Sequence, residues 1–219
     1  MEQGTSISVV IPTLDNPEAV KKVIHSLNSQ TLFPKEILIC DSSSKNEIED
    51  LIKTIESKIE IKYFRVGKAF PYDRILIAFN KTLFKRRMLN LKHKGRAFPY
   101  EATNLGSEQA KGEFLAFLDA TTIPEKDWLK DYLLIYKEKK VNVVFGKTKY
   151  LALTSFQKLL RASTYGRRGH ETIPGTLIRK KDFLLSGQII KGVRSGGDIE
   201  WRNRVRSMFS FNLPKNPYL

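Results

Sequence analysis

The sequence predicts an α/β protein with a mostly parallel central sheet and helices on both faces. Three observations predict it. Strand-like apolar runs alternate with helical spacing through residue 64, the run Phe114–Leu118 is apolar at every position and stops abruptly at Asp119, and an earlier strand run stops in the same way at Asp41. A short run that is apolar throughout suits a strand buried on both faces. A carboxylate at the C-terminal end of such a strand sits where open α/β sheets bind their ligands. Asp is also a common turn residue, so Asp119 alone is equally well read as a turn cap.

Ile7–Ile11 is the first strand, and Asn16 is placed to cap a helix with Pro17 at its first position. Val20, Val23, Ile24 and Leu27 then fall at i, i+3, i+4 and i+7, one face of an amphipathic helix. Glu36–Cys40 is the second strand, Ile48, Leu51, Ile52 and Ile55 repeat the helical spacing, and Ile59–Phe64 is a third, weaker strand. This β-α-β-α-β order calls for parallel strands and right-handed crossovers. Residues 100–111 and those following Trp128 read as helices, 141–145 as a strand and 155–162 as a short helix. The stretch YGRRGHETIPG (165–175) reads as a basic, glycine-rich loop, Leu177 and Ile178 as the start of a short strand, and KKDFLLSG as a helical turn. Gly196, Gly197 and Asp198 open a last helix, where a carboxylate also suits the helix dipole.

Residues 65–96 interrupt the alternation. They are rich in Lys and Arg and are bracketed by a short repeat, GKAFPYD at 67–73 and GRAFPYE at 95–101. One reading is a solvated basic helix covering the sheet. Another is a surface for anionic lipid headgroups or a phosphorylated acceptor. The organisation expected is one domain over residues 1–219 with this basic insertion at about 65–96.

The net charge of +15 implies an anionic partner: nucleic acid, an anionic membrane face or a phosphate-bearing substrate. The single cysteine, Cys40, excludes an internal disulfide and lies in an apolar strand pattern. No apolar run approaches the roughly 18 residues of a membrane span, and the N-terminus lacks the pattern of a secretory signal. The expectation is a cytoplasmic protein, with peripheral contact at the inner membrane face as an extension of the charge argument. No G-x-G-x-x-G follows the first strand and no G-x-x-x-x-G-K-[ST] is present, so dinucleotide and P-loop sites are not indicated.

Four segments in order carry a family resemblance: SVVIPTLDN (8–16), NSQTLFPKEILICDSSS (28–44), ATNLGSEQAKGEFLAFLDATTIPEKDWL (102–129) and GGDIEWRNRV (196–205). Together they resemble a family 2 glycosyltransferase with the Rossmann-like GT-A fold of nucleotide-diphospho-sugar transferases. The resemblance implies a nucleotide-sugar donor, most often UDP-linked, and transfer of one sugar, with inversion, to a glycan, lipid-linked or surface-polysaccharide acceptor. It implies that Pro12 and Thr13 border base and ribose, that Asp41 bonds the base edge, and that Ser43, Asn104 and Thr121 lie on the donor side. Asp119 matches the first carboxylate of the family's D-x-D, near ribose and a Mg or Mn ion. Asp198 matches the general base, whose role suits an attack that needs a deprotonated hydroxyl.

The sequence departs from the family in places. Thr121 stands where the second D-x-D carboxylate is usual, Thr103 where A-R-N has arginine, Ser42 where D-D-G-S has its second aspartate, and Gly197 where a glutamate usually precedes the base. Arg167 and Arg168 are expected to compensate at the diphosphate; His170 beside them is read first as an ordinary loop histidine, with a diphosphate contact as the alternative. Two rival readings stand beside the enzyme. One is a catalytically inactive nucleotide-binding protein of the same fold. The other is a basic nucleic-acid-binding protein, disfavoured because no recognition helix, zinc site or aromatic RNA-binding motif is evident. No processive-synthase Q-x-x-R-W segment is evident either. The short stretch after Asp198 suggests a minimal domain or part of a longer chain.

Overall fold

A computed structural model of the chain describes residues 5–67, 98–164, 166, 169–193 and 195–219. These form a 7-stranded sheet in the order β3-β2-β1-β4-β6-β5-β7. The strands are β1 (Ile7–Thr13), β2 (Glu36–Asp41), β3 (Glu60–Arg65), β4 (Phe114–Phe117), β5 (Val143–Thr148), β6 (His170–Arg179) and β7 (Phe211–Asn212). The helices are α1 (Pro17–Leu27), α2 (Glu47–Thr54), α3 (Pro99–Gln109), α4 (Trp128–Lys139), α5 (Ser155–Thr164), α6 (Lys180–Ser186) and α7 (Gly197–Met208). β1 pairs parallel with both β2 and β4, and β2 pairs parallel with β3. β6 runs antiparallel between β4 and β5, so β5 again points the same way as β4. Most of the basic insertion lies outside the described residues.

The period-2 alternation of the strands divides the core into two layers. Val9, Ile11, Ile37, Ile39, Phe114 and Ala116 face one side, where α1 lays down Val20, Val23, Ile24 and Leu27 and α4 adds Trp128, Leu129 and Tyr132. Val10, Leu38, Cys40, Leu115 and Phe117 face the other, against Ala102 of α3, Phe183 of α6 and Trp201 and Val205 of α7. The four α1 residues are fully buried, and burial of side chains of this size contributes roughly 1.5–3 kcal/mol each. The Asn16 side chain accepts from Ala19 N–H at 3.1 Å, as its position before Pro17 predicts. Burial pushes the Cys40 thiol up to about 12 and keeps it inert.

Two elements differ from the sequence reading. The stretch read as loop over 165–175 contributes a strand from His170 onward, because His170, Glu171 and Thr172 pair with Thr148, Lys147 and Gly146 of β5. Pro174 and Gly175 sit at a register shift in this ladder, and Gly175 takes a φ of +94°. That irregularity hides the strand from a periodicity argument. β7, two residues long, pairs parallel with β5 in a tail whose sequence carries no strand pattern.

Candidate functional site

Because β1, β2 and β4 are parallel, their C-terminal ends share one edge. Thr13 is paired with Asp41 in the ladder, and Asp119 follows β4 by two residues. Asp41 is completely buried. Its Oδ1 accepts from Ser43 N–H at 2.8 Å, its Oδ2 accepts from the Tyr63 hydroxyl at 2.7 Å, and Arg65 Nη1 lies 3.3 Å from Oδ2. Both donors that cover it come from β3, the neighbouring strand. Burial, then the Asp41 carboxylate, pushes the Tyr63 phenol above its ordinary pKa, so Tyr63 keeps its proton. The Ser43 hydroxyl accepts from Asp15 N–H at 2.7 Å and so ties the β1–α1 turn to the β2–α2 turn. Two buried hydroxyls on this same edge, Thr13 Oγ1 and Ser42 Oγ, have no hydrogen-bond partner.

The second half of the site is built by α3, α7 and the β4 terminus. Asp198 lies in the first turn of α7, beside the N-cap Gly196, and is not itself the cap. It is instead held from two sides: the Tyr100 hydroxyl of α3 donates to Oδ1 at 3.3 Å, and Arg202 Nη2 donates to Oδ2 at 3.3 Å. Arg202 in turn donates to Glu171 of β6 at 2.9 Å, and Arg206 pairs with the same carboxylate. Asp119 is exposed as a residue, yet its carboxyl is crowded by surrounding protein. That crowding, followed by the nearby Asp198 carboxylate, pushes its pKa up to about 6. Asp119 and Asp198 are therefore electrostatic neighbours. Asp119 also acts on Tyr100, whose pKa is raised by burial first and by Asp198 next.

Among the described residues no group of three or more His, Cys, Asp or Glu side chains is placed to hold a metal ion. Thr121 is exposed two residues beyond Asp119. One carboxylate beside a hydroxyl is too few protein ligands for a metal cage, and is chemically compatible only with an ion that takes its other ligands from elsewhere.

Other expected residues fall differently. Asn104 is 1% exposed and spends both ends of its amide on Ile189, donating to its carbonyl at 2.8 Å and accepting from its N–H at 3.0 Å. These bonds tie α3 to the connection between α6 and α7. Asp41, expected to hydrogen-bond the base edge, has Tyr63 and Arg65 at its Oδ2. Arg167 and Arg168 lie outside the described residues. The sequence reading missed Tyr100, Arg202 and Glu171. The i, i+4 spacing of Asp198 and Arg202 on α7 was a usable signal; Tyr100 and Glu171, distant in sequence, offered none.

An α/β sheet with this order and carboxylates at its C-terminal edge defines the GT-A class of fold. The crystal structure of S. aureus TarS 1-349 in complex with UDP superimposes with a TM-score of 0.68 at 15% identity, covering 98% of this chain and 59% of that one. The mannosyltransferase PcManGT from Pyrobaculum calidifontis, in complex with GDP-Man and Mn2+, gives a TM-score of 0.60 at 15% identity over 96% of this chain and 55% of that one. At the sequence level, residues 8–72 match the profile described as Glycosyl transferase family 2. Glycosyltransferase AglE of Haloferax volcanii is 23% identical over 91% of this chain, and a chondroitin synthase of Pasteurella multocida is 24% identical over 69% of it. The chain is thus a relative of the family 2 glycosyltransferases. It spans 60% of the length of the first of these curated relatives and 13% of the second.

Proposed function

We propose that this domain transfers a single sugar, with inversion, from a nucleotide-diphosphate sugar, UDP-linked by preference, to a glycan or lipid-linked acceptor hydroxyl. The observation that carries this reading is Asp198, its two oxygens fixed by Tyr100 and Arg202 and its charge within electrostatic range of Asp119. Like-charged carboxylates are costly neighbours unless a proton, a cation or a reacting group is meant to come between them.

In this reading the base of the donor enters beside Pro12, Thr13 and Asp41, exchanging its N–H for the Tyr63 hydroxyl on Asp41. The unpartnered hydroxyls of Thr13 and Ser42 gain partners there. Asp119 faces the ribose and diphosphate, where a bound Mg or Mn ion would neutralise the leaving group. Asp198 receives the acceptor hydroxyl's proton as the oxygen bonds to the anomeric carbon. The bond from that carbon to the diphosphate oxygen breaks, and the nucleoside diphosphate carries the electron pair away. Tyr100 and Arg202 each occupy one oxygen of Asp198, which fixes the carboxylate and leaves lone pairs for the acceptor. Its side chain is 34% exposed, so an acceptor can reach it.

The test has two arms. UDP and UDP-sugars, with and without manganese, are expected to raise the melting temperature, since a ligand bound only by the folded state stabilises it by RT ln(1 + [L]/Kd). Slow release of free sugar from the matching donor is expected to vanish in Asp198→Asn. No stabilisation by any nucleotide diphosphate would overturn the reading. Stabilisation without hydrolysis or transfer would leave a nucleotide-binding protein without catalysis.

A further inference from the structure

Helix α5 is specified by its own sequence yet leaves its apolar side in water. Thr154 and Gln157 form a reciprocal cap: Gln157 N–H donates to Thr154 Oγ1 at 3.2 Å, while Thr154 N–H donates to Gln157 Oε1 at 3.1 Å. Leu153 N–H donates to the same Oε1 at 2.8 Å, and Arg161 Nη1 donates to the Tyr150 carbonyl at 3.2 Å, so the preceding segment is folded onto the helix. Phe156, Leu159 and Leu160 share one face at i, i+3 and i+4, exposed by 68%, 66% and 47%, and Leu151 and Leu153 just before them are 79% and 81% exposed. A 10-residue helix is marginal in water without packing on an apolar face. Clustered exposure of this kind marks a surface that is covered in use.

The position of this face narrows what covers it. β5 runs parallel to β4, so Thr148 leaves the sheet at the same edge as Asp119, and α5 follows directly. At the return of the excursion, Glu171 binds Arg202, which holds Asp198. Charge narrows it further. Residues 149–164 contain Lys149, Lys158 and Arg161 and no acidic residue, on a chain of net charge +15. A second copy would bring the same positive charge to the contact. An anionic surface with an apolar interior would not.

We propose that α5 and the Leu151–Leu153 segment dock this domain on an anionic lipid bilayer, with the apolar face in the headgroup–acyl boundary and the lysines and arginine among the headgroups. Docking there sets the mouth of the site against the bilayer, so the acceptor is one that the bilayer presents. The placing of the acceptor rests on the transfer reading above; the docking does not.

The experiment is flotation of the full chain with vesicles of phosphatidylcholine mixed with phosphatidylglycerol, and with phosphatidylcholine alone. The chain is expected to float with the anionic vesicles and far less with the neutral ones. Phe156→Glu with Leu159→Glu is expected to lower the bound fraction at least about tenfold, from lost apolar insertion. Lys158→Glu with Arg161→Glu is expected to lower it through charge. The melting shift with UDP serves as a separate reading of fold and donor binding. Failure of the wild-type chain to float, or flotation unchanged in Phe156→Glu with Leu159→Glu, overturns docking. So does a dimer in light scattering that this variant dissolves while vesicles are ignored. Loss of the UDP shift with flotation intact would sink the donor reading alone.

Discussion

The Tyr100 hydroxyl, on α3, donates to Oδ1 of Asp198, on α7, across 3.3 Å and 98 positions of sequence. With Arg202 on the other oxygen, Asp198 is fixed in direction. Replacing Asp198 by Asn keeps the shape and removes the proton acceptor. Transfer and donor hydrolysis are expected to fall by about 10²–10⁴-fold, the usual worth of a positioned acid or base, while the UDP melting shift persists. Tyr100→Phe is expected to lower kcat several-fold with little change in donor affinity, measured by steady-state kinetics. A loss of donor affinity with kcat intact would place Tyr100 in donor binding instead.

Asp119 carries a stability signature of its own. Its folded pKa of about 6 lies above the ordinary 3.8, so the folded chain holds this proton more tightly than the unfolded chain. Below about pH 3.8 both states are protonated and the residue contributes nothing. As pH rises from about 3.8 to about 6, the fold must carry a charge that the crowding protein and Asp198 disfavour, and stability falls across that window. Asp119→Asn is therefore expected to melt higher than the wild type above pH 6 and alike below pH 4. Thermal melts across that range check it. A variant less stable at neutral pH would mean that the charge is already compensated.

At Asp41 the neighbouring strand competes with a ligand. The Tyr63 hydroxyl occupies Oδ2 at 2.7 Å. Tyr63→Phe frees that oxygen, and if the donor's base takes it, UDP affinity is expected to rise by several-fold, up to about tenfold for one hydrogen bond. Isothermal titration reads this directly. Weaker binding in the variant would show that the phenol itself touches the ligand.

The parts of this arrangement that were legible in the sequence are those dictated by burial. β1, β2 and β4 lie inside the sheet, so both faces of each are apolar and the runs stand out. Asp41 and Asp119 are conspicuous because they end such runs. What stayed hidden depends on pairing across distance. The first half of β6, from His170 to Pro174, is polar or irregular and is a strand only because β5 lies beside it. Tyr100 reads as part of a repeated FPY segment, and nothing local announces that its hydroxyl meets Asp198. Asn104 sits in a segment that resembles the family's, while its actual bonds, both to Ile189, are a matter of tertiary structure.

The opposite edge of the sheet supplies a stability prediction. Glu36 is fully buried. Burial alone would raise its pKa, but Lys62, the Ser8 hydroxyl and the Lys111 amide together outweigh that and hold it below the usual range. The stability it contributes is present above about pH 4.5 and is lost as pH falls through its lower folded value. Glu36→Ala strands the Ser8 hydroxyl and the Lys111 N–H, and is expected to cost about 2–4 kcal/mol at neutral pH. Urea unfolding at pH 7 measures it, and a cost below about 1 kcal/mol would indicate that water replaces the carboxylate.

Gly106 sets how low α3 rides on the sheet. A methyl group there would come within 2.5 Å of Val10 Cγ1 and 2.7 Å of Cys40 Sγ. Both lie beneath the helix, so relief requires α3 to lift, and Tyr100 lifts with it. The clearance of one hydrogen atom in the interior thus governs whether a phenol reaches a carboxylate at the rim. The setting of Asp198 is inherited from the thickness of the core.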